Sequence, residues 1–251
     1  MLQKIVLLVF AFALVGMGGT IAQKEHAPVG AQQTNHTRDS SGVLTHPNRD
    51  RRLAMTISAP LTEDPFADIL ATTQRHLAQH SCGAYPFQDG PALISLANEH
   101  RPKRVLELGT ALGYTAACLA HGSPQAHVDT IEGDASHVVL AREQIAQHDL
   151  SARISVHQGD FDTVLSTLQP GYDMAFFDGF APELDTILHV RKLLAVGGVL
   201  ICSNLQLGSG NEARRLAAEL ADESHWQRQD PIEDGRTVVL IKRAVPDSPQ
   251  E

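Results

Sequence analysis

The stretch VLELGTALGYT, residues 105–115, decides the fold. A short apolar run carries one acid, Glu107, and ends at Gly109. Three residues later comes Gly113, and from Tyr114 the apolar residues take up helical spacing. An apolar run, a glycine turn and a helix start in direct succession are the opening of a βαβ unit. Glycine at such a turn lets the backbone reverse sharply and lets a ligand come close.

Working outward, the same programme repeats. Strands are predicted over 104–108, 127–131, 154–157, 174–177 and 198–202. Helices are predicted over 114–121, 135–148 with Asp134 as cap, 161–168, 182–194 and 211–220. Two helical stretches, 61–80 and 90–100, precede the first strand. Two strands, 225–229 and 237–242, close the chain around the turn-rich DPIEDG. Strands alternating with helices imply a parallel sheet covered on both faces, and the closing hairpin implies an antiparallel strand at or near one edge. The expectation is a doubly wound, mostly parallel, Rossmann-like sheet of seven strands.

Composition sets bounds on partners. From Met55 onward 14 Lys and Arg face 26 Asp and Glu, a formal −12. So acidic a body repels phosphate backbones, which argues against a nucleic-acid partner. Cys82, Cys118 and Cys202 form no CxxC pair or Cys/His cluster in the sequence, so each reads as a small buried hydrophobe. Ahead of the domain, residues 5–22 are uncharged and apolar and follow Lys4. They have the layout of a secretory signal and the length of a marginal membrane span. Residues 23–54 are polar and read as a disordered linker, 55–243 as the folded domain and 244–251 as a tail. Residues 1–22 thus have three readings: a signal, an anchor (the one case that implies membrane contact), or sequence upstream of a true start at Met55.

Ligands of open α/β sheets bind beyond the C-terminal ends of the strands, so the residues just after each strand are the ones to examine. Behind the first strand stand Glu107, Gly109, Ala111 and Gly113. The spacing is G-x-x-x-G, not the G-x-G-x-x-G of a dinucleotide turn, and an acid at Glu107 would repel a pyrophosphate. Glu132 follows the second strand, where a carboxylate can accept both hydroxyls of a ribose in NAD or in any adenosine ligand. Asp160, Phe161 and Asp162 follow the third, placed to reach an adenine. Asp178 and Phe180 follow the fourth, and Ser203 and Asn204 the fifth. A ribose, no phosphate and a positive charge describe S-adenosylmethionine.

With VLELGTALGYTA, IEGD, DMAFFDG and LLAVGGVLICSN in this order, the chain resembles the class I S-adenosylmethionine-dependent methyltransferases, and most of all the small O-methyltransferases of the catechol and caffeoyl-CoA type. The resemblance covers roughly residues 89–243. It implies that Glu107 and Gly109 line the methionine end of S-adenosyl-L-methionine. It implies that Ala111, Gly113, Tyr114 and Thr115 form the loop beside its carboxylate and ribose. Glu132 would hold the ribose hydroxyls, and Asp160, Phe161 and Asp162 would border the adenine. Asp178 would stand beside the reacting centre, and Phe180 would be an aromatic wall. It further implies O-methyl transfer to a small-molecule hydroxyl, a divalent metal such as Mg²⁺, and a homodimer as a common assembly.

Two departures from the pattern stand out. The resemblance implies an acid–Asn pair after the fifth strand, and here it is Ser203-Asn204, leaving Asp178 and Asn204 as the metal ligands. The catechol branch carries a lysine base shortly after the fourth-strand acid, where this chain has Ala181-Pro182-Glu183. Asp178 is therefore the first candidate for acceptor contact or proton removal. His121, His137 and His189 fall in predicted helices and read as surface or packing residues. Two other classes remain: a silent module that binds the cofactor without turnover, and a nicotinamide-dependent oxidoreductase. Because S-adenosylmethionine is made in the cytosol, a cytoplasmic domain is expected. The front helices, 61–98, are expected to cover the site, and Tyr85-Pro86-Phe87-Gln88 reads either as aromatic and amide contacts to the acceptor or as a loop packing its aromatics on the sheet.

Overall fold

The computed structural model describes residues 64–244. The segments expected over 1–22 and 23–54, the first residues of the expected domain (55–63) and the tail from 245 lie outside them. No helix among the described residues is long and apolar enough to cross a membrane.

Two helices come first, α1 (Ala67–His80) and α2 (Gly90–His100). The alternating programme follows: β1 (Arg104–Leu108), α3 (Tyr114–Gly122), β2 (His127–Glu132), α4 (Ala135–Gln147), β3 (Ile154–Gln158), α5 (Phe161–Leu165), β4 (Tyr172–Phe177), α6 (Leu184–Leu193), β5 (Leu194–Cys202), α7 (Gly210–Ala221), β6 (Trp226–Arg228) and β7 (Val238–Lys242). They form one seven-stranded sheet in the order β3-β2-β1-β4-β5-β7-β6. β7 inserts between β5 and β6 and runs antiparallel to both, so the antiparallel strand lies one in from the edge.

Strand alternation divides the core into two layers. Val105, Val128, Met174, Phe176 and Ile201 pack with α2, α3 and α4 on one face. Leu106, Leu108, Ile131, Phe177 and Leu200 pack with α5, α6 and α7 on the other. On the first face α2 and α3 approach closely: a methyl on Gly122 would come 2.4 Å from the Ile94 carbonyl oxygen.

Several boundaries differ from the sequence expectation, α1 starting at Ala67 and β4 at Tyr172 among them, and three have a visible cause. α5 stops at Leu165, because the Ser166 and Thr167 hydroxyls donate back to the carbonyls of Thr163 and Val164, both at 2.7 Å. α6 starts at Leu184 and not at Pro182; its first N–H donates to Glu212 Oε1 of α7 at 3.2 Å. β5 begins four residues earlier than expected, because Leu194 pairs with Tyr172 before a register shift ahead of Met174.

Candidate active site

The loop after β1 is shaped by close packing against β4. Gly109 has φ +104°, and a methyl there would meet the Asp178 carbonyl oxygen at 2.7 Å. The Asp178 N–H donates to Leu108 O at 2.9 Å, which draws the two strand ends together. Ala111 sits at φ 45°, and its N–H donates to Glu132 Oε2 at 2.8 Å. The other Glu132 oxygen accepts from the Asp134 N–H at 2.9 Å. Each oxygen keeps lone-pair capacity, and the carboxylate faces a cleft.

The cleft lies at the C-terminal ends of the strands. Gly109, Ala111, Glu132, Phe161, Asp178 and Phe180 all line it. Gly83 and Tyr85, from the loop after α1, cover one side. It continues toward Thr110, Tyr114 and Thr115, again past Gly109, Ala111 and Asp178. Among the described residues, no Lys or Arg lines either part. Phe180 and Tyr85 stand at the rim, 79% and 71% exposed.

Glu107 does not line the cleft; it is fully buried behind its wall. Thr130, its partner in the β1–β2 register, donates to Glu107 Oε2 at 2.5 Å, and Thr110 lies 2.5 Å from the same hydroxyl. Oε1 has no hydrogen-bond partner among the described residues. Burial pushes the Glu107 carboxyl up to about 7, against the hydroxyls of Thr115 and Thr130, and Glu132 adds to the rise. Asp178 is raised well above the ordinary carboxylate range, first by burial, then by the charges of Glu107 and Glu233, with Asn204 pulling it down. Two acids that resist ionisation beside a third, with no Lys or Arg among the described lining residues, favour a ligand that brings positive charge.

The remaining expected residues divide. Gly113 (φ +94°) caps α3 away from the cleft. Tyr114 is buried, and its hydroxyl donates to Asp64 Oδ2 at 2.5 Å, so its phenol is already engaged. Asp160 caps α5 through the Thr163 N–H at 2.9 Å, which lowers its carboxyl. Asp162 faces Thr186 of α6. Both acids line a separate depression beyond Phe161. Phe87 packs edge-on against Phe176 with centroids 5.3 Å apart and, with Tyr85 and Pro86, lines the inner part of the cleft, while the Gln88 amide donates to Pro86 O. Asn204 Nδ2 donates to Asp178 Oδ1 at 3.2 Å and to Gly179 O at 2.8 Å, and Ser203 is buried beside it.

One reading is corrected. Cys118 and Cys202 are buried, but Cys82 is half-buried and meets two histidines, so a Cys/His cluster exists in space. His137 is a buried packing residue in the first turn of α4, as expected of a helical histidine, and its Nδ1 lies 3.7 Å from Glu132 Oε1, beside the active edge. Sequence reasoning missed Thr130 outright. Its signal was register: a threonine opposite the acid of β1.

Comparison with known proteins agrees with this geometry. Residues 106–205 match the family model described as a methyltransferase domain. A catechol O-methyltransferase of Mycobacterium tuberculosis is 31% identical over 132 residues, 51% of this chain and 59% of that protein. Over this stretch the chain is similar to methyltransferase domains, and its curated relatives include catechol O-methyltransferases. Catechol O-methyltransferase B of Danio rerio is 29% identical, over 64% of this chain and 65% of that protein. The chain thus spans about three fifths of the length of these curated relatives. Among solved structures, the O-methyltransferase TomG of Streptomyces achromogenes, in complex with S-adenosylmethionine, shares the fold at a TM-score of 0.61 and 22% identity, over 70% of this chain and 90% of that one.

Proposed function

We propose that the domain transfers a methyl group from S-adenosylmethionine to the hydroxyl of a small aromatic acceptor. The observation that carries this is the cleft itself: Glu132 and Asp178 in its wall, Glu107 behind it, and no Lys or Arg among the described residues that line it. Such a site rejects phosphates and attracts a ligand with a cationic end and a diol.

In this reading Glu132, pre-set by the Ala111 and Asp134 N–H groups, accepts the ribose hydroxyls. Phe161 offers its face to the adenine, and Glu107 supplies negative potential behind the methionine end. Bound there, S-adenosylmethionine would supply a methyl group on a sulfonium, already activated for in-line displacement. The protein's part is alignment and removal of the acceptor's proton. Asp178 is the group placed to take that proton, since its raised carboxyl is a stronger base than an ordinary aspartate. The exposed Phe180 and Tyr85 rings would hold a flat acceptor against it.

Asp178 and Asn204 do not fit Mg²⁺ as they stand. They offer one carboxylate and one amide, joined to each other by an N–H···O bond, and Mg²⁺ takes oxygen donors. The proposal therefore routes no step through a metal. The named relatives, catechol O-methyltransferases, support the acceptor class. The cytosolic supply of the cofactor supports a cytoplasmic location.

The test is formation of S-adenosylhomocysteine from S-adenosylmethionine with catechol as acceptor. Turnover that Asp178→Asn reduces at least a hundredfold is expected. Cofactor binding with no turnover on any of a panel of phenols and catechols would favour the silent binding module.

A further inference from the structure

A second cluster lies beside the cleft and takes no part in the reaction above. α1 ends at Ser81 in the left-handed conformation (φ 50°), and that cap turns Cys82 back alongside the helix. His76 stands one turn earlier on the same helix. His137 arrives from the first turn of α4, directly after the Glu132 loop. The three side chains can each offer one ligand atom, and these atoms lie within 4.8 Å of one another. The His76 and His137 rings meet edge-on with centroids 5.3 Å apart.

A second observation points independently to a ligand. His137 is 4% exposed, yet its Nε2 has no hydrogen-bond partner among the described residues. An unmade hydrogen bond on a buried imidazole is costly. Its other nitrogen, Nδ1, faces Glu132 Oε1 at 3.7 Å. A carboxylate on one side of an imidazole and a free nitrogen on the other is how metal-ligating histidines are oriented.

We infer that His76, Cys82 and His137 form a binding site for a single zinc-class transition-metal ion, with an exchangeable water in the fourth position. One thiolate and two imidazoles form a borderline-soft donor set, which takes Zn²⁺ or Co²⁺ and discriminates against Mg²⁺ and Ca²⁺. His76 and Cys82 are half-buried, so the ion has a route in from solvent. The thiolate leaves a net single positive charge on a Zn²⁺ complex, and Glu132 stands ready to balance it.

The position gives the ion a purpose. Gly83 and Tyr85, next along from Cys82, cover the cleft, and Gly133 forms its floor beside Glu132. A metal bridging α1 and α4 would clasp the covering loop to the loop that carries Glu132. The site does not depend on the methyltransferase reading, since its test is metal uptake without any cofactor.

The experiment titrates the chelator-stripped full chain with Co²⁺ and then displaces it with Zn²⁺. Cys118 and Cys202 are fully buried, so a near-ultraviolet thiolate-to-cobalt band reports Cys82. The expected result is that band at one Co²⁺ per chain, abolished by Zn²⁺. Cys82→Ser should lose the band, and both Cys82→Ser and His137→Gln should weaken Zn²⁺ at least by the roughly 10–100-fold that loss of even an outer-shell partner costs. No band in the wild type, or Zn²⁺ affinity unchanged in Cys82→Ser, overturns the proposal. Cys82→Ser decides alone if His137→Gln does not fold.

Discussion

Replacing Glu107 by Gln should make the free protein more stable at neutral pH. Burial raises this carboxyl from 4.5 to about 7. The folded state therefore holds a proton that the unfolded chain gives up between those values. Stability is lost as pH rises from about 4.5 to about 7, and the loss is complete above that window. At ~1.4 kcal/mol per pKa unit, the full penalty is about 3 kcal/mol. Most of it falls between pH ~5 and pH ~8. Glutamine keeps the shape, can still bond to Thr130, and never ionises. Urea unfolding at both pH values, wild type against Glu107→Gln, gives the answer as a difference of differences. The wild type should lose about 2–3 kcal/mol more than the variant on going from pH ~5 to pH ~8. The same substitution should weaken S-adenosylmethionine, because the negative potential behind the cleft is gone. Parallel losses in the two proteins would refute the reasoning, since Glu107 would then carry no penalty.

Three further outcomes are expected. Gly109→Ala should destabilise the domain by about 1–3 kcal/mol, because the left-handed backbone strains any side chain and the methyl meets the Asp178 carbonyl; thermal unfolding measures this. Tyr114→Phe should cost about 1 kcal/mol of stability through the lost bond to Asp64 and leave S-adenosylmethionine affinity unchanged, which calorimetry separates cleanly. Asn204→Ala removes the one contact that lowers the Asp178 carboxyl, so the acid limb of the pH–rate profile for methyl transfer should move to higher pH.

Much of the fold is legible because local signals agree with it. VLELG followed by an apolar helix needs no tertiary context, and Asp134 caps α4 where the sequence puts it. The limits have physical causes. Gly197-Gly198 reads as a strand start, yet pairing of Leu194 with Tyr172 extends β5 back through it. The insertion of β7 between β5 and β6 is a choice among hairpin arrangements that local patterning leaves equal. In the site, Glu132, Phe161 and Asp178 converge as their positions after the strands imply, because the parallel sheet brings those ends together. Tyr114 lines the inner part of the cleft as its place in the loop implies, but its hydroxyl is taken by Asp64, a partner far away in the chain that the sequence does not announce. The His76–Cys82–His137 cluster has no spacing motif, because its members meet only when α1 packs beside α4.

The most direct test of the central claim is calorimetric titration of the full chain with S-adenosylmethionine and S-adenosylhomocysteine, wild type against Glu132→Ala. The account expects one site per chain, with affinity falling about 10–100-fold in the variant, as loss of hydrogen bonds to a charged group implies. A folded wild type that binds neither compound, or a Glu132→Ala variant that binds as tightly as the wild type, would contradict it.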